Sequence, residues 1–199
     1  MGQRISRILG VDTETVQAVP IDLTINRGPE ILKIAEAGDR KKVAELLEAG
    51  ADFVSADRDG VTALLAASMN GHADVVEALL AAKLPPSTPR HAFVDSADVA
   101  GKTALMMAAG NGHVDATKAL LAGGASVKLA DQAGKTALHW AANVGQIATV
   151  EILIDWGSDL KVVDMFGSTP AALAAEKGHA AVAELFFEKM EGKGVVSTI

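Results

Sequence analysis

Thr103, Thr136 and Thr169 are evenly spaced, and so are Gly112, Gly145 and Gly178 at the same interval. That interval, about 33 residues, falls in the range that marks stacked-repeat architectures. Each threonine opens a similar stretch: GKTALMMAAGNGH from Gly101, GKTALHWAANVGQ from Gly134 and GSTPAALAAEKGH from Gly167. An earlier copy, GVTALLAASMNGH from Gly60, keeps the same internal spacing but lies farther than one interval ahead of its successor. The extra residues fall within Lys83 to Asp98. A fifth stretch, PEILKIAEAGDRKKVAELLEAGAD, comes first, with Gly38 again one interval before Gly71. A chain with such a period builds no single central core; each unit buries its apolar face on the next.

The residues within a unit say what the unit is. Thr62, Thr103, Thr136 and Thr169 precede apolar runs, where a hydroxyl can accept from an orphan N–H of a first helical turn. Pro170 follows Thr169 at the first helical position, where its missing N–H costs nothing. Alanine pairs such as Ala66-Ala67, Ala108-Ala109, Ala141-Ala142 and Ala174-Ala175 keep one helix face thin. Gly71, Gly112, Gly145 and Gly178 then end the short helix. A second helix follows, with Val75, Val76, Leu79 and Leu80, or Val150, Leu153 and Ile154, at helical spacing. Its end is marked by Gly50, Gly124 or Gly157, and an Asp-x-x-Gly turn leads into the next unit at Asp57, Asp131 and Asp164.

Composition narrows the function. The net charge of −7 gives no basic face for phosphate neutralisation, which argues against a nucleic-acid partner. With no cysteine there is no disulfide, Cys-ligated zinc, thiol catalysis or palmitoylation site. Aromatics make up 4% and tyrosine is absent, so the core is aliphatic and closely packed. No apolar run reaches the roughly 18 residues that a membrane span needs, and no secretory h-region opens the chain. These features place the chain in the cytoplasm, with the nucleus or a peripheral membrane association as further settings.

With these motifs the chain resembles the ankyrin repeat family, over residues 28 to about 190. Thr-Ala-Leu-His-Trp-Ala-Ala at 136–142 comes nearest to the family's T-P-L-H-x-A pattern, although alanine replaces proline at 63, 104 and 137. The resemblance implies an all-α ankyrin-repeat solenoid of five helix-turn-helix units with β-hairpin fingers. The units run about 28–60, 61–99 with an inserted loop, 100–132, 133–165 and 166–199, behind an arm at 1–27. Lys33, Arg40, Lys41 and Lys42 wet the first unit, and the charged stretch Glu188 to Lys193 caps the last. The resemblance further implies a monomer that binds a protein partner on a concave face of turn tips and first-helix ends. Those positions are Arg58, Asp59, Val61, Met69, Asn70, Val99, Lys102, Asn111, Gln132, Lys135, Asn143, Met165, Phe166 and Lys177. Met165-Phe166 stands out, because a turn in water gains nothing from an aromatic.

Other residues have plainer readings. His72, His113 and His179 recur once per unit, with Gln146 in the same slot. Residues one solenoid step apart, roughly 10 Å, cannot share a metal with bonds of about 2 Å, so no metal or cofactor is expected. Glu36, Glu77, Glu151 and Glu184 read as solvated helix faces, and Trp140 as packing. No nucleophile or acid–base constellation is apparent, so the chain is not read as an enzyme. The Lys83–Asp98 insertion, rich in Pro and polar residues, reads as an exposed loop, with Thr88-Pro89-Arg90 a short kinase-like pattern. Met1-Gly2-x-x-x-Ser6 matches the N-myristoylation pattern at Gly2. A lone acyl chain gives weak, reversible membrane association, so a membrane-recruited scaffold is the alternative reading.

Overall fold

The computed structural model of the protein describes residues 28–191. Gly2, the expected lipidation position, and the expected arm at 1–27 lie outside them. Within the described residues the chain forms α1 (Gly28–Glu36), α2 (Arg40–Glu48), α3 (Ala63–Met69), α4 (Ala73–Ala81), α5 (Arg90–Val94), α6 (Ala104–Gly110), α7 (Val114–Ala122), α8 (Ala137–Val144), α9 (Ile147–Asp155), α10 (Pro170–Glu176) and α11 (Ala180–Met190). All but α5 pair in chain order, α1 with α2 through α10 with α11. The first helices of the pairs make an inner row, α1–α3–α6–α8–α10, and the second helices an outer row, α2–α4–α7–α9–α11. Each helix touches chiefly its own mate and its counterparts in adjacent pairs.

The helices begin and end where side chains allow. Thr62, Thr103 and Thr169 hydroxyls accept from the N–H of Leu65, Met106 and Ala172 at 3.3, 3.4 and 3.2 Å. The thin faces are enclosed up to the last unit: Ala67, Ala108, Ala109, Ala141, Ala142 and Ala174 expose nothing to solvent, whereas Ala175, on the last first-row helix, is exposed. Leu64, Leu79, Leu105, Leu120, Leu138 and Leu153 fill the space between the two rows.

Histidines stitch successive pairs together. His72, His113 and His179 each donate from Nε2 to a carbonyl of the preceding pair, those of Glu36, Met69 and Asn143, at 2.9, 3.0 and 3.1 Å. Gln146 occupies the same place against Gly112. The recurring histidine thus links one helix pair to the next by a hydrogen bond.

The insertion differs from the expected exposed loop. Residues 90–94 are helical, with Pro89 as the N-cap, and Phe93 and Val94 are 1% exposed. The Phe93 ring meets Phe53 edge-on, with centroids 5.4 Å apart and planes at 87°. Asp95 Oδ1 accepts from the Ser126 N–H at 2.9 Å, tying the insertion to the following pair. The reason is local: Phe93-Val94 is a short apolar pair in a polar, proline-rich stretch, and it closes the edge of the core beside Phe53. The segment Pro85–Ser87 ahead of it does remain exposed.

Candidate functional site

The turns between helix pairs form a second continuous row. In each, the aspartate N–H donates to the carbonyl four places on: Asp57 to Val61, Asp98 to Lys102, Asp131 to Lys135 and Asp164 to Ser168, all at 3.0 Å. The aspartate Oδ1 accepts two N–H groups from within its own turn, for example those of Ala133 and Lys135 at 2.9 Å in the turn of Asp131. Neighbouring turns join through main-chain bonds from Val99 to Asp59, Gln132 to Ala100 and Met165 to Ala133, at 2.9, 3.0 and 2.9 Å. Among the described residues, bridge pairing is limited to the isolated contacts Ala97–Thr103 and Ala130–Thr136. Fixed backbones thus carry the side chains of Val99, Gln132 and Met165 outward, all exposed.

The positions expected on this face divide into groups. Met69, Lys102 and Asn111 come together around one open pocket of about 270 Å³ between the inner helices. Its floor and walls add Met106, Met107, Gly110, Trp140 and Val144. Lys135 joins them from the next turn: its Nζ lies 5.7 Å from the Trp140 ring centroid, and that of Lys102 lies 4.3 Å away. Asn111 is held by its own bond, donating from Nδ2 to the Met69 carbonyl at 2.9 Å. Arg58 and Asp59 are exposed one turn earlier. Asn70 is turned back on its helix, donating to the Ala66 carbonyl at 3.0 Å. Val61 packs partly against the core, and Asn143 gives its carbonyl to His179. Gln132 Nε2 donates to the Val99 carbonyl at 2.6 Å. Met165 and Phe166 project at the far turn, 64% and 76% exposed, and Lys177 pairs with Glu176 at the surface.

Trp140, expected to serve packing, does pack partly against the core, and it also lines the pocket. It is half-buried, and its Nε1–H donates to Asp131 Oδ2 at 2.9 Å, which fixes the ring plane. The signal lay in the register: Lys102 and Lys135 hold the same turn position in successive units, and Trp140 sits on the first helix that both turns flank. In the next unit the place of Trp140 is taken by Leu173, and the Oδ2 of Asp164 is buried without a protein partner among the described residues. Burial pushes the Asp164 carboxyl up, yet the N–H groups of Ser168 and Phe166 outweigh it and hold the carboxyl below its ordinary range. His139, wholly enclosed beneath the same turns, has its imidazole held below the ordinary value by burial.

Stacked helix pairs, a stitched row of turns and a pocketed inner face define a helical repeat solenoid. A family model of ankyrin repeats (three copies) matches residues 31–131 and 89–164, which together span well over half of the chain. The protein belongs to the ankyrin repeat family. A comparison with curated proteins found no match. Ankyrin repeats are in general protein–protein interaction modules. Among the described residues no helix is long and apolar enough to cross a membrane.

Proposed function

We propose that this protein is a non-catalytic interaction module, an adaptor or inhibitor, that holds one partner protein across the face made by its turn tips and inner-helix ends. The supporting observation is the pocket that gathers Met69, Lys102, Asn111 and Trp140 on that face, because Met and Trp are enriched at interface centres. In this reading the chain acts as a monomer of five units, with the aspartate turns serving as hairpin fingers. Phe166 and Met165 extend the contact toward the last unit as an apolar tip.

The test uses any partner obtained by affinity capture on the full chain. Phe166→Ala should weaken binding while leaving thermal stability nearly unchanged, since exposed turn positions carry little folding energy, and Lys135→Glu, at a half-buried turn position, should weaken binding with the fold kept. A partner whose affinity neither change moves would place the binding surface elsewhere.

A further inference from the structure

The pocket around Trp140 combines an apolar floor with two cations that form no ion pair among the described residues. The Nζ of Lys102 and of Lys135 lie 4.3 and 5.7 Å from the Trp140 centroid, and both side chains are half-buried. The ion pairs found among the described residues engage Lys41, Lys42, Lys177 and Lys189, and neither of these two. The nearby Asp131 and Asp164 carboxylates attract these lysines at longer range but form no ion pair with them. Asp131 spends Oδ1 on the N–H groups of Ala133 and Lys135 and Oδ2 on the Trp140 indole. The ring face attracts the two ammonium groups, but a cation–π contact leaves their full charge in place. Two ammonium groups gathered over one indole repel each other, and an anion brought by a ligand would gain a direct ion pair there.

The surroundings of the cations say what the anion is attached to. Met69, Met106, Met107 and Val144 wall the pocket, and Gly110 leaves it open above the Trp140 ring. A Cβ at Gly110 would lie 3.3 Å from Trp140 Cβ, so any side chain there would crowd the floor. Adaptable methionines beside an aromatic ring suit an inserted apolar side chain. Two lysines at the rim suit carboxylates next to that side chain.

On this basis we infer that the Trp140 pocket is a docking site for a linear peptide segment of the partner carrying one bulky aliphatic or aromatic residue flanked by Asp or Glu. The inference rests on the interaction-module reading and specifies the partner's chemistry. The chain's net charge of −7 does not oppose it. At physiological salt the Debye length is about 8 Å, so most of the chain's acidic residues are screened from the site, and Asp131 is the acidic side chain hydrogen-bonded at the ring itself.

Selection of a random linear peptide library on the immobilised full chain tests this directly. The expected consensus is Leu, Ile, Met or Phe beside acidic residues. Peptides of that type should quench or shift the fluorescence of Trp140 in the Trp156→Phe variant, where it is the sole indole. Lys102→Glu and Lys135→Glu should each reduce their affinity by about tenfold or more, and Lys102→Arg should restore most of it. Melting curves of each variant verify that the fold is kept, and Lys102→Gln serves if the charge reversal unfolds the chain. A selection that yields no binder, or a consensus without acidic residues, overturns the inference. Binders lost on Phe166→Ala but untouched by the lysine changes also overturn it, while leaving the face itself in use. Binders insensitive to all of these substitutions would overturn the underlying reading of the face as well.

Discussion

The imidazole of His139 donates from Nε2 to the main-chain carbonyl of Ser168, 3.1 Å away in the following turn. Its Nδ1 accepts from the N–H and hydroxyl of Thr136 at 3.2 and 3.0 Å, closing a capping box at the start of α8. Both ring nitrogens are committed to the neutral form, since a protonated Nδ1 would face the Thr136 N–H. Burial lowers the folded-state pKa, so the unfolded chain, titrating near 6.5, takes up the proton first. Stability from this site is therefore complete above about pH 6.5 and is lost as the pH falls toward the lower folded value. Urea melts at stepped pH should show wild type losing stability across that window, with His139→Gln starting lower and changing less. The other histidines are common to both chains and cancel in the comparison. Equal slopes would mean that His139 does not couple the titration to folding.

Gly71 and Gly50 share the same left-handed backbone, φ +76°, yet should respond differently to alanine. Either substitution incurs the strain of that conformation, about 1–2 kcal/mol. At Gly50 the new methyl meets nothing within 4 Å. At Gly71 it would lie 2.5 Å from His113 Nδ1, displacing the ring from its bond to the Met69 carbonyl. Gly71→Ala should therefore be the more destabilising, by about 1–3 kcal/mol in denaturant titrations, as expected for overpacking.

Phe93 makes the insertion part of the fold. Phe93→Ala should cost about 3–5 kcal/mol, in the range for deleting a buried ring, and Phe53→Ala a comparable amount. The two losses should be less than additive in the double variant, since each ring is the other's partner. Full additivity would mean that the edge-on contact contributes nothing of its own.

The period was legible because the contacts that hold the fold together repeat with it. Thr103, Gly112 and His113 each have a counterpart in another unit performing the same local task, so a single chain displays its own internal alignment. The capping threonines and helix ends followed from neighbouring residues alone. The helix within the insertion did not, because Phe93 has no counterpart in other units and its partner Phe53 lies far back in the chain. The pocket was hidden for a related reason. Lys102, Lys135 and Trp140 are ordinary in their own units, and only lateral stacking of the turns brings both lysines over one ring. Turn-tip exposure, by contrast, could be read directly: Phe166 in an Asp-x-x-Gly turn has nothing to pack against.

Linear stacking also sets what happens when the end of the array is removed. Leu138 is completely buried between the rows, and Leu138→Ala should cost about 2–5 kcal/mol. Its own helix, α8, rests on α10, whose Leu173 and Ala174 are buried in turn. Deleting residues 166–199 strips this cover and opens the alanine face of α8 to water, with no polar terminal surface to replace it. The truncated chain should aggregate or melt at a markedly lower temperature, and light scattering with circular dichroism distinguishes the two. Leu138→Ala should be milder in the truncated chain than in the full one, because the last exposed unit is already loosened. A stable, monomeric, fully helical truncation would show that the terminal helix pair is dispensable and that the capping role lies elsewhere.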